Sequence, residues 1–436
     1  MAYFAGQTTL YDYINKVNIP NGDHTLNVNG VDIDIEMFNF EEDIIYNESP
    51  ILGSNVSDSK MLILNYKGSL TINTGVIITP QVRKKGMTIA VRYNLINHGK
   101  ISMTARGAIS EGQDIYLYKN RDGTFEYIPA VGGSGGVATS GGGNSHGNAG
   151  KVGIRRGTGG GGSGSNWGTN SRPSGRGGSG TSYSGGSGGG GVYNTSGTGS
   201  YNGGSGSDTG GSGGNGTAKG SGTGAYGTGG VGNEPGKSGW STTSTSYIGN
   251  VNNSYAQIGT GGLLIVYAKN ILNNGKIESN GSDTIVNSRY SSSHTRFSGG
   301  GNSGGGSINL FYKKNYESNG EIIAYGGTTS VNIKFDWAAI GGDGGTGSIT
   351  VQNILRSENV VLHEGKYKTY KGKWITVSEK IDQIDFETNG VLSEELNRTA
   401  AAKSIAMTDK APAILFAALE LCELKKILNM RVDSYS

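Results

Sequence analysis

One stretch of the chain is too rich in glycine to build an ordinary hydrophobic core. Between Gly132 and Gly239, 46 of 108 residues are glycine, and Leu, Phe and Met are absent. Seven basic and two acidic residues give this stretch a charge of +5, whereas the whole chain carries +3. Glycine loses more conformational freedom on ordering than any other residue. The stretch therefore either is a flexible linker or folds without relying on side-chain burial.

A glycine chain has one ordered alternative, an extended left-handed helix with about three residues per turn. Several such helices can lie side by side and pair their backbone N–H groups with neighbouring carbonyls. The glycine runs here are short, and segments with Trp, Tyr and Arg separate them, for example residues 165–173 and 192–196. A flexible linker is ordinarily composed of small residues such as Gly and Ser and does not require Trp, Tyr or Arg at intervals. The pattern favours a folded-back polyglycine II bundle, and the flexible linker is the alternative.

A short pattern recurs on both sides of the glycine block: a strand-like run followed by Asn-x-Gly-x-Ile. It occurs around Gly75, Gly99 and Gly275, and more loosely around Gly320. Gly75 and Gly99 are 24 residues apart, a length typical of one coil of a solenoid. One such unit cannot bury its apolar face alone, so we expect the copies to stack. The pattern predicts a β-solenoid-like body, with a β-sandwich as the alternative.

The N-terminal region contains a predicted β-hairpin. An Asn-Gly turn at residues 29–30 joins two strand-like runs. In the second run Asp32, Asp34 and Glu36 alternate with apolar residues, which places three carboxylates on one strand face. Such a row is ordinarily a solvated face, and Ca²⁺ binding is the alternative.

The C-terminal region changes to a helical period. From Pro412 onward the apolar residues Ile414, Leu415, Ala418 and Leu421 fall on one stripe. The sequence therefore predicts an all-β protein with a short C-terminal α-helical segment.

No catalytic or metal-binding arrangement is recognisable. The five histidines are scattered, and the single cysteine, Cys422, excludes an internal disulfide framework. We predict that the protein is not an enzyme and uses no cofactor or metal. The mild net charge does not argue for nucleic acid. No run approaches the ~20 apolar residues of a membrane helix, and the start lacks a secretory signal, so we expect a protein made in a cytoplasm and not inserted in a membrane.

The segments that interrupt the glycine runs have the composition of a recognition surface. Tyr and Trp give flat amphipathic contact area, and Asn, Ser and Gly give adaptable hydrogen bonding. The alternative is that these residues only close turns. The candidate receptor-binding residues are Trp167, Asn170, Arg172, Tyr183, Tyr193, Asn194, Tyr201, Tyr226 and Trp240.

Glycine runs separated by turns with Tyr and Trp resemble the tail-fibre-tip adhesins of tailed bacteriophages. In that family a bundle of polyglycine helices holds variable loops that bind the host surface. The resemblance covers residues 132–240, and the flanking repeats look like those of glycine-rich β-solenoids in bacterial surface proteins and phage fibres. It departs from the family in two ways: the glycine block is inserted between repeats, and residues 1–58 contain no recognised attachment domain.

The resemblance implies a virion protein of the tail, a tail fibre or receptor-binding protein. It implies a host-surface polysaccharide or protein as receptor, other tail or baseplate proteins as partners, and a homo-oligomer, a trimer by analogy. The expected regions are an N-terminal β attachment region (1–58), β-solenoid repeats (59–131), a glycine-rich projection (132–240), further repeats with an inserted loop (241–359), terminal strands (360–386) and a helical region (387–436).

Three other functions are open at this point. A tailspike-type enzyme that degrades polysaccharide needs paired carboxylates in a groove, and no convincing pair is present. A bacterial glycine-rich surface or matrix protein needs a secretion signal or wall anchor, and neither is visible. RNA binding through the basic glycine block is the third alternative.

Overall fold

A computed structural model divides the chain into two units, Met1–Phe311 with Asn315–Val351 and Tyr312–Lys314 with Gln352–Ser436. The described residues are 2–3, 9–54, 60–120, 124–139, 143–168, 173–194, 205–206, 208, 217–218, 239–240, 259–283, 296–328, 337–354, 360–363, 366–370, 374–378, 391–392 and 415–418.

The described chain is mostly β, as expected, with one helix, α1 (Leu10–Lys16). The strands before the glycine block are β1 (Ala2–Tyr3), β2 (Gly22–Val28), β3 (Val31–Phe40), β4 (Ile44–Tyr46), β5 (Met61–Tyr66), β6 (Leu70–Ile72), β7 (Ile77–Ile78), β8 (Gly86–Asn97), β9 (Lys100–Ser102), β10 (Ile115–Lys119) and β11 (Phe125–Ile128). Those within the block are β12 (Gly143–Ser145), β13 (Asn166–Gly168), β14 (Val192–Asn194), β15 (Thr217–Ala218) and β16 (Gly239–Trp240). Those after it are β17 (Leu263–Asn273), β18 (Lys276–Glu278), β19 (Arg296–Ser298), β20 (Ser307–Ser318), β21 (Glu321–Ile323), β22 (Trp337–Ala339), β23 (Ser348–Asn353), β24 (Val360–His363), β25 (Lys366–Tyr370), β26 (Trp374–Ser378), β27 (Val391–Leu392) and β28 (Leu415–Ala418).

The core of the first unit is a stack of long strands in the order β3-β5-β8-β17-β20-β23. The pairs from β3 to β17 are parallel, and one row runs through Phe38, Leu64, Ile89 and Val266. Leu64, Ile89 and Val266 are fully buried. Short strands after the turns form a second sheet in the order β21-β18-β9-β7. Stacking of the repeats, which the sequence predicted, therefore buries their apolar faces.

The turn between the two sheets requires glycine because successive turns touch through their backbones. A Cβ on Gly275 would meet the carbonyl oxygen of Gly99, and a Cβ on Gly320 would meet that of Gly275, both well under 3.0 Å. Beside this column, buried Asn97 donates from Nδ2 to Oδ1 of Asn273 (2.7 Å). The asparagine and the glycine of the repeat are thus both explained by stacking.

The strand register refines the repeat in two places. Leu70 pairs with Leu95 before the turn, and Ile78 pairs with Ile101 after it, so the first turn is two residues longer than the second. In the last copy Ser318, not Asn319, occupies the ladder position, where its Oγ accepts from Asn273 Nδ2 (3.0 Å). Gly75 also differs from its counterparts because its φ is +86°.

The predicted N-terminal hairpin is confirmed: β2 and β3 pair antiparallel. Asn29 and Gly30 have φ of 50° and 86°, the left-handed conformations of a type I′ turn. The row of carboxylates is occupied by protein partners, since Asp32 and Asp34 accept from Asn27 Nδ2 and Thr25 Oγ1, each at 2.7 Å.

Helix α1 was not predicted from the sequence. Thr9 is its N-cap and accepts the amide N–H of Asp12 on its side chain (3.2 Å). Leu10, Tyr13 and Ile14 are buried, and the Tyr13 hydroxyl donates to the carbonyl of Asn27 (2.9 Å). Seven residues carry little periodic signal, so tertiary burial rather than propensity makes this helix.

The glycine-rich residues form a backbone-bonded array, here called the glycine lattice. Its segments are 131–139, 146–153, 157–165, 173–180, 184–191, 259–262, 279–283, 299–306, 324–328 and 340–347. Segment 157–165 hydrogen-bonds to six neighbours, which are 131–139, 146–153, 173–180, 184–191, 299–306 and 340–347. Every third backbone N–H of this segment donates to the same neighbouring segment. For example, the N–H groups of Gly159 and Gly162 donate to the carbonyls of Gly305 and Asn302 in segment 299–306 (2.8 Å each).

Glycine is required inside the lattice by close approach between chains. A Cβ on Gly161 would meet the carbonyl oxygen of Ser187, and one on Gly162 would meet that of Gly342, both far inside 3.0 Å. Where a side chain does occur, it joins the network: fully buried Ser163 accepts the N–H of Asn148 on its Oγ (2.8 Å).

The lattice does not coincide with the predicted projection at 132–240. Five of its segments come from residues 259–347, in a region expected to hold solenoid repeats with one inserted loop. Segment 299–306 runs directly into β20, and it also hydrogen-bonds to six neighbouring segments. The described residues 279–283 and 299–306, which fall where the inserted loop was expected, thus belong to the same lattice.

The described strands of the second unit pair in the order β26-β25-β24-β28-β27. Strand β28 lies where the helical stripe was predicted, and Val361 of β24 pairs with its Leu415. At Leu415–Ala418 the helix prediction is therefore wrong, because these apolar residues form a strand between β24 and β27 instead. The other residues of the predicted stripe lie outside the described chain.

Candidate functional site: the aromatic end of the glycine lattice

One end of the glycine lattice is joined to the strand stack, and the other end carries two small sheets. Segments 259–262 and 299–306 run into the long strands β17 and β20. At the opposite end, segment 157–165 continues into β13, and β19 leads into segment 299–306. We call the group formed by β12–β16, β19 and β22 the aromatic tip.

The first sheet of the aromatic tip aligns candidate residues from separate glycine segments. Its order is β12-β13-β14-β15. Trp167 is in register with Asn144 on one side and with Tyr193 on the other, and Tyr193 is in register with Ala218. These residues come from distant parts of the sequence, and strand pairing brings them to one row.

The second sheet of the aromatic tip has the order β16-β19-β22. Trp240 is in register with Phe297, and Arg296 with Trp337. The two sheets lie against each other, since β13 contacts β19, β14 contacts β16 and β12 contacts β22. Three of the four tryptophans in the chain, Trp167, Trp240 and Trp337, therefore lie in the aromatic tip.

The nine predicted receptor-binding residues divide into three groups. Trp167, Tyr193, Asn194 and Trp240 lie on strands of the aromatic tip. The second group lies outside the described residues and consists of Asn170, Arg172, Tyr201 and Tyr226. Tyr183 forms the third group.

Tyr183 is the exception, because its side chain is fully buried at the opposite end of the lattice. Its backbone carbonyl accepts the N–H of Ala108, and the ring lies under the ammonium of Lys85, 4.8 Å from its centroid. Burial, with a smaller contribution from the Asp114 carboxylate, raises the pKa of the Tyr183 phenol. Tyr183 therefore packs between the glycine lattice and the strand stack. Because its side chain is fully buried in this structure, it cannot contact a receptor.

Three residues of the aromatic tip, Asn144, Phe297 and Trp337, and the neighbouring lattice residue His146 were not predicted from the sequence. His146 is exposed, and its Nδ1 accepts the N–H of Ile340 (3.0 Å), which ties two lattice segments together. Phe297 and Trp337 lie beyond residue 240, two and four positions before the glycines at 299 and 341. The sequence signal for Phe297 and Trp337 is an aromatic residue shortly before a glycine run. It was overlooked because the candidates were taken only from residues 132–240.

The described residues offer little for metal or membrane chemistry. Within them, no group of three or more His, Cys, Asp or Glu side chains could hold a metal ion. No helix in that part of the chain is long and apolar enough to cross a membrane. The aromatic tip brings aromatic and amide-bearing residues to neighbouring strand positions at one end of the backbone-bonded lattice.

Comparison with protein-family models, curated proteins and solved structures finds no match to this chain.

Proposed function

We propose that this chain is a phage virion protein, a tail fibre or receptor-binding protein that attaches the particle to the host cell surface. The observation that carries the proposal is the convergence of the positions of Trp167, Tyr193, Trp240 and Trp337 at the end of the glycine lattice opposite the strand stack. A support built from backbone hydrogen bonds holds these positions together without a hydrophobic core. No catalytic step is part of this proposal.

We further propose that the glycine lattice is a polyglycine II bundle and that the strand stack is a β-solenoid. The three-residue return of donors and the six neighbours of segment 157–165 support the first point, because a helix with three residues per turn directs its peptide groups to the same neighbour once per turn. The parallel register and the glycine column at the turns support the second.

A rigid lattice favours binding by a small recognition surface. Ordering loops on binding costs free energy, and residues already held in register avoid part of that cost. Aromatic rings pack on the apolar faces of sugars and on peptide side chains, and amides supply hydrogen bonds. The receptor in this proposal is therefore a surface polysaccharide or protein, and several copies per particle strengthen weak single contacts.

We also propose where the chain is located and how it assembles. The chain belongs to the virion tail and contacts other tail or baseplate proteins. A homo-oligomer, a trimer by analogy with phage fibres, supplies the multivalent display.

The experiment is a binding assay of the labelled full chain on a panel of bacterial strains. We expect binding to at least one strain, and we expect the variant Trp167→Ala/Tyr193→Ala/Trp240→Ala/Trp337→Ala to lose about tenfold or more in apparent affinity, as for removal of hot-spot residues. The matched control is Tyr127→Ala/Tyr325→Ala, which removes exposed aromatic rings of hairpin β10–β11 and of the residues that follow β21. Equal binding by wild type and the four-residue variant would refute the proposed role of the aromatic tip.

A further inference from the structure

A second surface, on the strand stack and apart from the aromatic tip, has the features of an anion-binding site. Between Val91 and Asn94, strand β8 has one residue more than its partner β17. Arg92 and Tyr93 together therefore lie opposite the single residue Lys269, which is a β-bulge. Bulges redirect side chains, and here Arg92, Tyr93 and Asn94 are all exposed in succession.

The bulge gathers two cations on one aromatic ring. The guanidinium carbon of Arg92 lies 5.5 Å from the centroid of the Tyr93 ring, and Nζ of Lys269 lies 5.9 Å from it. Tyr93 itself is 42% exposed. Cation–π attraction holds each charge near the ring, but like charges on neighbouring strands repel each other.

No ion pair among the described residues neutralises either cation, although other cations of the stack are paired. Directly after the neighbouring strand β5, Lys67 forms an ion pair with Glu41, with 2.7 Å between Nζ and Oε1. Because Arg92 and Lys269 have no such carboxylate among the described residues, the surface at the bulge carries a net positive charge. An anionic group between the Arg92 and Lys269 side chains relieves their repulsion and gains charge-assisted hydrogen bonds.

The neighbourhood of the patch is ordered. Beside it, Asn270 donates from Nδ2 to Oδ1 of Asn94 (2.8 Å), which fixes the two strands just after the bulge. On the other side, Gly68 precedes β6, and a Cβ there would meet the backbone nitrogen of Asp43, so the chain is closely packed at this point. An exposed ring with two cations beside it suits a sugar unit that carries a negative charge.

We propose that Arg92, Tyr93 and Lys269 form a binding site for an acidic polysaccharide. Arg92 and Lys269 contact the anionic groups, and Tyr93 keeps the two cations apart and supplies an apolar contact. Since the strands are stacked about 4.8 Å apart, a polymer with charges repeated along its length fits the patch better than a single small anion. The site is independent of the proposed receptor contact at the aromatic tip.

The test is calorimetric titration of the purified full chain with polygalacturonate, a polymer with one carboxylate per sugar. We expect saturable binding that weakens as salt is raised. We expect Arg92→Ala/Lys269→Ala to weaken it by about tenfold, because two exposed charge contacts are lost. The matched control is Lys119→Ala/Lys151→Ala, which removes the same charge from exposed cations elsewhere and should bind like wild type.

Other outcomes would overturn the site. These are no binding by wild type, equal loss in both double variants, and equal binding of uncharged dextran. The four-residue variant of the aromatic tip should bind polygalacturonate normally. If that variant lost binding, the polymer contact would lie at the aromatic tip and not at the bulge; if it bound the polymer normally but no longer bound cells, both sites would stand.

Discussion

Nζ of Lys84 lies 3.0 Å from Oε2 of Glu36, and the lysine side chain is completely buried. The lysine also donates to Oγ of Ser54 (2.7 Å), so the pair fixes the chain before β8 to strand β3. Glu36 is the third carboxylate of the row that a Ca²⁺ site would have used. A buried charge that loses its partner is costly, whereas an apolar replacement of both partners is often tolerated.

The first prediction concerns this ion pair. Glu36→Gln should lower the free energy of unfolding by about 3 kcal/mol because it leaves the Lys84 charge without its carboxylate. Urea denaturation measures this loss. The double variant Glu36→Gln/Lys84→Met should recover most of the stability. If the double variant is less stable than the single one, the pair is not the reason for the effect.

The second prediction concerns the interior of the glycine lattice. Gly162→Ala should destabilise the protein by about 3 kcal/mol because its Cβ meets the carbonyl of Gly342 and the neighbouring segments must separate. Val152→Ala is the control, since this residue of an outer segment is 61% exposed and should change stability by less than about 0.5 kcal/mol. Thermal unfolding of both variants would reveal the contrast, and equal melting temperatures would argue against a close-packed lattice.

The third prediction concerns the polar ladder in the turns. Asn273→Ala removes a buried amide that connects Asn97 to Ser318, and the cost should be about 2 kcal/mol because polar partners are left unsatisfied. Asn270→Ala, in the exposed ladder with Asn94, should cost much less because water replaces the lost bond. Chemical denaturation compares the two, and an equal loss would contradict the role of burial.

The fourth prediction uses the buried phenol of Tyr183. Its pKa is raised by burial, so the folded state keeps the proton at a pH where the unfolded chain releases it near 10. This contribution to stability is complete below pH 10 and is lost as the pH rises through the higher pKa of the folded state. Tyr183→Phe should therefore lose less stability than wild type between pH 8 and pH 11.

At pH 8 the same variant should be at least as stable as wild type, because among the described residues the Tyr183 hydroxyl has no hydrogen-bond partner. Urea unfolding at the two pH values gives both comparisons. Cell binding should also be unchanged, and a clear loss of binding by Tyr183→Phe would reinstate this residue as a receptor contact.

The fifth prediction separates the aromatic tip from the main glycine block. Trp337→Ala should reduce cell binding by about tenfold, as much as Trp167→Ala, since both residues lie in the small sheets at the end of the lattice. Trp374→Ala, in strand β26 of the second unit, is the control and should bind normally. Normal binding by the Trp337 variant would confine the surface to residues before 240.

Local chemistry made several features predictable. The Asn29-Gly30 turn was identified because few residue pairs accept positive φ twice. The stacked repeats were recognised because apolar runs and Asn-Gly turns recur, but Ser318 could not be distinguished from Asn319 as the ladder residue without the register of β20. Helix α1 and strand β28 were missed or misassigned because their conformation depends on burial and on strand partners that are distant in sequence.

The sequence by itself determined that residues 132–239 have no hydrophobic core, since so little side-chain bulk is available there, and that the flanking repeats must stack. Only the tertiary structure decided which chains form the lattice: segments near 160 and near 302 hydrogen-bond to each other, although more than a hundred residues separate them. It also decided that Tyr183 is buried while Trp167 and Trp337 lie in the same aromatic tip. Glycine runs are nearly identical to one another, so their sequences alone give little information about which runs lie side by side.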